Sequence, residues 1–278
     1  MSIFGEIYMR KPITIAAIAA FALLAGGCTQ LRSRSQINEG VSAFKNAQFP
    51  QAVEHFKTAV ELEPEFSTAR LYLAVAYMQQ YVPGAESPDN VKMADQALAE
   101  FQKVLEKDPS NKTAAAYIAT LKLNQKKWDE AEQWYQKVVQ LDPKNTDAYY
   151  SLGFIAWSKW YPAYATSMHD LKQPMDSNFP IKDKKVKAEL KEKWDKVIQT
   201  GIDNLNKCLE IDPLYSDAMA YENLLIRERA YLLDDQKEFE KQIETANAWI
   251  DKSLDAKKKL AEKKAKAAAA NGITTEEK

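Results

Sequence analysis

Between Pro109 and Pro143 the apolar and polar positions repeat twice in succession with the 3.6-residue period of an amphipathic helix. Over residues 112–125, KTAAAYIATLKLNQ, the positions Ala115, Ile118, Ala119 and Lys122 share one helical face. Over residues 128–143, WDEAEQWYQKVVQLDP, the positions Ala131, Tyr135 and Val138 share another. The spacing predicts two helices, with small residues where they nearly touch and larger ones filling the gap beside them. Residues 112–145 thus form one unit of 34 residues.

The same unit recurs. ELEP ends at Pro64, EKDP at Pro109, QLDP at Pro143 and EIDP at Pro213, at intervals of 45, 34 and 70 residues. Each proline stops a helix where the chain must turn. Around these endings small and large residues return in order. They are Gly40, Ala52, Phe56 and Ala59 in the first unit, then Leu73, Ala74, Tyr77, Ala97, Phe101 and Val104 in the second. The third has Ile118, Ala119, Trp128, Ala131, Tyr135 and Val138, and the fourth has Leu152, Gly153, Gly201, Leu205 and Cys208. A fifth, degenerate unit keeps Tyr221, Leu225 and Ala246 and lacks the proline.

This pattern resembles the tetratricopeptide repeat (TPR), whose stacked helical hairpins share a continuous core because one hairpin cannot bury its apolar face alone. The resemblance implies an all-α fold, an α-solenoid of about five TPR-like hairpins ending in a long capping helix. It also implies binding on the inner face, lined by Leu71, Val75 and Met78, by Ala116, Thr120 and Leu123, by Tyr150, Phe154 and Trp157, and by Ala220, Leu224 and Arg227. The lysine and asparagine set with which chaperone-binding members hold a terminal carboxylate is missing. An apolar helix or extended peptide is the expected ligand.

Two insertions interrupt the array. Residues 80–90, with Pro83, Gly84 and Pro88, read as an enlarged loop. Residues 158–193 contain Trp160, Tyr161, Tyr164 and Phe179 among Pro162, Pro174 and Pro180. They predict a loop of about twenty residues, then a helix from near Lys182 that projects about four turns beyond a normal one. Trp160, Tyr161 and Tyr164 are candidates either for a private mini-core or for partner contact. In the capping helix, Phe239, Ile243, Ala246, Ile250, Leu254 and Leu260 form the expected inner stripe. The array spans residues 37–260. Residues 261–278 are expected to fray into solvent, and the lysines from Lys257 to Lys266 to solvate the last turns and complement the helix dipole.

The start of the chain differs from the rest. Arg10 and Lys11 precede the apolar run ITIAAIAAFALLAGG and then Cys28, so residues 1–27 read as an export signal. Ala25, Gly26, Gly27 and Cys28 resemble the lipobox of bacterial lipoproteins, with alanine in place of the commonest leucine three residues before the cysteine. The resemblance implies a Cys28 that carries acyl chains and a protein held on the membrane by that anchor, in the bacterial envelope and facing the periplasm from the outer membrane. Residues 28–36 would be a polar tether.

Composition adds exclusions. With 38 basic and 39 acidic residues and a net charge of −1, the sequence gives no reason to expect a nucleic-acid partner. Two histidines, His55 and His169, lie far apart without clustered Cys or Asp, so neither a metal nor a histidine-based nucleophile is expected. Cys208 occupies a core position and reads as an inert thiol. No cofactor, small-molecule substrate or enzymatic activity is expected. The expected function is an envelope scaffold that binds another envelope protein or peptide, in outer-membrane protein assembly or pilus biogenesis. The competing reading is a peptidoglycan- or carbohydrate-binding protein that uses the aromatic insertion.

Overall fold

The computed structural model describes residues 29–270, and the expected signal segment and Cys28 lie outside them. Among the described residues ten helices follow one another: α1 (29–45), α2 (Phe49–Leu62), α3 (Ser67–Met78), α4 (Pro88–Lys107), α5 (Lys112–Asn124), α6 (Trp128–Leu141), α7 (Thr146–Asp170), α8 (Lys184–Ile211), α9 (Ser216–Ala230) and α10 (Gln236–Ala270). No strand occurs among the described residues. The chain divides into two compact units, with the boundary between Leu121 and Lys122.

The repeat is written into the helix ends. α2, α4, α6 and α8 all stop two residues before their proline, and the intervening Glu63, Asp108, Asp142 and Asp212 each donate a backbone N–H to the carbonyl four residues back, at 2.7–3.0 Å. Asn111 and Asn145 then cap the next helices, accepting from Ala114 N at 3.0 Å and Ala148 N at 2.9 Å. Ala47, Lys126 and Lys172 end α1, α5 and α7 in the left-handed region, at φ 56°, 56° and 51°. Each is followed by a residue whose N–H donates five residues back, as Gln48 does to Ala43.

In the first unit Phe56 fills the space left by Gly40. A Cβ at position 40 would come within 2.5 Å of the ring. Ala52, Val53, Leu73 and Ala76 complete that core, and Ile37, Ala59 and Ala69 form a second small cluster. The expected polar tether is helical from residue 29. Ser33 is buried, and its hydroxyl donates to Ala59 O at 3.3 Å, because a small side chain at that turn lets α1 approach α2. The insertion between α3 and α4 is a loop over residues 79–87, and the last three residues predicted for it, 88–90, form the first turn of α4. The loop is organised by buried Asn90, which accepts from Val82 N at 2.7 Å and donates to Val82 O at 2.9 Å and Ala85 O at 2.7 Å.

In the second unit the predicted loop after Trp157 is largely helix. α7 continues through Pro162 to Asp170, even though a proline inside a helix removes one backbone hydrogen bond and costs about 3 kcal/mol. What offsets that cost is burial: Trp160, Tyr164 and Met168 recur on one face of α7 and pack with Ile181, Leu190, Tyr231 and Phe239. The loop proper is residues 171–183. It is pinned by the Tyr231 hydroxyl, 2.8 Å from Met175 O and 2.9 Å from Ser177 O, and by Ile181 N donating to Tyr231 O at 3.0 Å. α8 begins at Lys184, close to the predicted start. The long hairpin closes tightly lower down, where a Cβ at Gly153 would overlap Leu205 and one at Gly201 would come within 2.7 Å of Ala156.

Two expectations about α10 need correction. Its inner face holds Phe239, Ala246, Ser253 and Ala256, with Trp249 half-buried, whereas Ile250 and Leu254 are 42% and 61% exposed. Asn223 on α9 donates to Ala246 O at 2.6 Å, and Ser253 donates to Ser216 O at 2.9 Å. These bonds fix the helix rotation and leave Ile250 and Leu254 turned away. The segment 261–270, expected to fray, is helical. Its run of Ala and Lys combines high helix propensity with no breaker before residue 270.

Candidate protein-binding site

The first unit carries an apolar pocket of about 420 Å³ on the side of its first-position helices. α1 contributes Val41, Phe44 and Lys45, one turn apart, and α3 contributes Leu71, Tyr72 and Val75 at the same spacing. Thr113 and Tyr117 of α5 close one wall and Phe56 lies at the floor. The rings are held from behind: Phe56 lies 5.5 Å from Tyr72, and Tyr117 stacks on Phe101 at 5.2 Å. Tyr72 is 38% exposed, so the pocket opens to solvent through an aromatic lip. Lys45 is the sole ionic side chain of the lining.

Of the groove residues the resemblance implied, Leu71 and Val75 line this pocket. Met78 and Thr120 are half-buried outside it, and the Thr120 hydroxyl donates to Ala116 O at 3.0 Å. Val41, Phe44, Lys45, Tyr72, Thr113 and Tyr117 were missed. The signal was present for α1, since Val41, Phe44 and Lys45 follow Gly40 on the register that places Leu71 and Val75 in the next repeat.

The corresponding face of the second unit is filled by its own aromatics. Tyr150, Phe154 and Trp157 form a ladder along α7 with ring centroids 6.4 Å apart at each step, and Tyr161 stacks on Trp157 at 4.8 Å. Tyr221 of α9 covers the ladder, at 5.8, 5.2 and 5.3 Å from those three rings, and Trp128 of α6 abuts Phe154 at 6.2 Å. Leu123 is half-buried in this unit, outside the ladder. Trp160 and Tyr164 are buried in the core and cannot touch a partner. Of the three insertion candidates only Tyr161, 36% exposed, can do so. Their burial takes Trp160 and Tyr164 out of the aromatic platform suggested for carbohydrate binding and leaves Tyr161 of the three.

Beneath the ladder lies Glu228, buried, with Oε1 accepting from Trp157 Nε1 at 3.0 Å. Burial pushes its carboxyl up to about 7, while the Trp157 indole, and after it the Trp160 indole, favours the charged form. Glu222, on the face of α9 turned to α8 and α10, is pushed up to about 8 by burial and by Asp203, with Asn206 and Lys252 opposing. Cys208 is buried and its thiol pushed up to about 12, the behaviour of a core residue.

His55 bonds Gln36 at 2.9 Å on the surface of the first unit, and His169 is exposed. Among the described residues no group of three or more His, Cys, Asp or Glu could hold a metal ion. Nor is any helix among them long and apolar enough to cross a membrane.

Alternating helices with short interdigitating residues at the crossings, proline-marked turns and an open inner pocket define a helical repeat protein. Family models described as tetratricopeptide repeat match residues 37–81, 68–111 and 92–153. Residues 37–153 are therefore built of tetratricopeptide repeats, the fold of a protein-interaction scaffold. The chain is similar in fold to the crystal structure of MamA protein, with a TM-score of 0.57 and 15% identity over 83% of this chain and 94% of that one. It is likewise similar to MamA 41-end from Desulfovibrio magneticus RS-1, with a TM-score of 0.54 and 15% identity over 82% and 96%. No curated protein matches the sequence.

Proposed function

We propose that this protein is a lipid-anchored scaffold of the bacterial envelope that holds an apolar segment of a partner protein, helical or extended, in the pocket formed by α1, α3 and α5. The observation that carries the reading is that pocket: about 420 Å³, aromatic at its lip, apolar at its floor and open to solvent. Large aromatics on rigid helices bury much area at small entropic cost, the property of an anchoring site. One lysine on the rim suits a segment with an acidic residue beside its apolar ones.

The anchor rests on the sequence before Cys28, where small residues give a peptidase access to the backbone and the thiol accepts the first acyl group. Two or three acyl chains hold a protein to a bilayer far more firmly than one. Outer-membrane protein assembly and pilus biogenesis are the processes that the resemblance suggests for such a scaffold. No catalytic step is part of the reading.

A photocrosslinker placed at Tyr72 in living cells tests the site. It should capture one envelope protein reproducibly, Leu71→Asp with Val75→Asp should abolish the capture while helicity is kept, and a crosslinker at Tyr161 should not give the same product. Equal capture from Tyr161, or capture that survives the double substitution, would place binding elsewhere. Labelled palmitate should enter the wild-type chain and not Cys28→Ser, and equal labelling would remove the anchor.

A further inference from the structure

The lysines near the C-terminus acquire a face because α10 stays helical to Ala270. Ser253 and Ala256 are the last buried residues, and from Lys257 to Ala267 every residue is exposed except half-buried Leu260. Past Ser253, whose hydroxyl reaches the first residue of α9, seventeen residues of α10 extend for about 25 Å. They carry Lys257, Lys258, Lys259, Lys263, Lys264 and Lys266 against Asp255 and Glu262, a local charge of +4 in a chain whose net charge is −1.

At 100° per residue, Ile250, Leu254, Ala261 and Ala265 fall within one narrow strip of the outward face. Lys257 and Lys264 flank the strip on one side and Lys258 on the other, with Asp251 and Glu262 beyond Lys258, while Lys259, Lys263 and Lys266 lie on the opposite side of the helix. Ile250 and Leu254 on this strip are among the most exposed large apolar residues described. An apolar strip bordered by long cationic side chains is the form of a helix that lies in a lipid headgroup layer, with the lysine stems along the hydrocarbon boundary and the ammonium groups among the phosphates.

We infer that residues 250–266 of α10 dock on an anionic phospholipid surface. The charge selects that occupant: the three lysines beside the strip gain electrostatic attraction from acidic lipids, and two large apolar side chains are too few to bind a neutral bilayer by themselves. The inference deepens the membrane-tether reading, since a weak surface contact becomes effective once an anchor raises the local concentration of the bilayer.

The test uses the chain from Thr29 onward, which contains every described residue and no anchor. It is sedimented with vesicles of phosphatidylcholine alone or with about one third phosphatidylglycerol. Binding is expected to the anionic vesicles only, with loss at about 0.5 M salt. Replacing Lys257, Lys258 and Lys264, the lysines that flank the strip, by Gln should lower the partition by about tenfold or more. Leu254→Asp should weaken it further while circular dichroism stays unchanged. Equal binding to neutral vesicles, or undiminished binding of the Gln variant, overturns the inference. So does a concentration-dependent dimer, abolished by Leu254→Asp, that binds no vesicles, because the strip then serves a second copy. Failure of palmitate to label Cys28 would leave this result standing, which keeps the two readings separable.

Discussion

The two units use one repeat in opposite ways. In the first, the side chains that α1, α3 and α5 turn inward line an open pocket of about 420 Å³. In the second, Tyr150, Phe154 and Trp157 occupy equivalent positions, and Tyr221 covers them within 6 Å. An apolar inner face is therefore no sign of a binding site by itself. What distinguishes a site is whether the neighbouring helix supplies the side chain that fills it. In the second unit Tyr221 does so, and the extended α7–α8 hairpin adds a core of its own around Trp160.

The largest expected effect tests whether that core is structural. Trp160→Ala should destabilise the second unit by about 4 kcal/mol, the usual cost of emptying a buried aromatic site, and separate its unfolding from that of the first. Thermal unfolding followed by circular dichroism would show two transitions where the wild type shows one or closely spaced ones. A shift below about 1 kcal/mol would mean the extension contributes little to packing.

A second difference is chemical. Glu222 and Glu228 lie buried in the second unit with carboxyls pushed up to about 8 and about 7, mainly by burial. A folded-state value above the unfolded one means that the native state holds the proton more tightly. The stability so gained is complete below the unfolded carboxylate range and is lost as pH rises through about 7 to 8. The melting temperature should fall between pH 5 and 8, by an amount on the order of a few kcal/mol in stability, and Glu222→Gln with Glu228→Gln should flatten the decline. An unaltered slope in the double variant would assign it to other groups.

Much of this was legible in the chain. Pro64, Pro109, Pro143 and Pro213 marked the repeat because a proline cannot continue a helix, and Gly40, Gly153 and Gly201 marked the crossings because no Cβ fits there. The mini-core alternative for Trp160 and Tyr164 is the one the structure shows, but on a helix and not a loop: Pro162 is a local signal for a break, and the burial that overrides it comes from Ile181 and Tyr231, distant in sequence. Ile250 and Leu254 fit an inner stripe by spacing alone. The rotation of α10 is set instead by hydrogen bonds to Asn223 and Ser216 O, which spacing does not encode. For the pocket, the repeat register points to Leu71 and Val75, whereas the contribution of Val41 and Phe44 of α1 comes from the packing of three helices around Phe56.

Asn90→Ala probes the first unit's own scaffold. It removes three bonds and leaves Val82 N without its acceptor, so a loss of about 2 kcal/mol is expected, confined to the first unit. Denaturant unfolding with the second unit's transition unchanged would confirm that the two respond separately.

The smallest expected change in stability gives the sharpest contrast between the units. Tyr72 and Tyr161 are nearly equally exposed, at 38% and 36%, and each lies against a neighbouring aromatic ring, Phe56 at 5.5 Å and Trp157 at 4.8 Å. Truncating either to alanine should cost less than about 1 kcal/mol, since each ring is only partly removed from water. If the open pocket is the binding surface, Tyr72→Ala should weaken partner binding by about tenfold or more and Tyr161→Ala should leave it unchanged. Titration of the captured partner against both variants measures this directly. Loss from Tyr161→Ala with retention in Tyr72→Ala would reverse the assignment and make the aromatic ladder, not the pocket, the working face of the molecule.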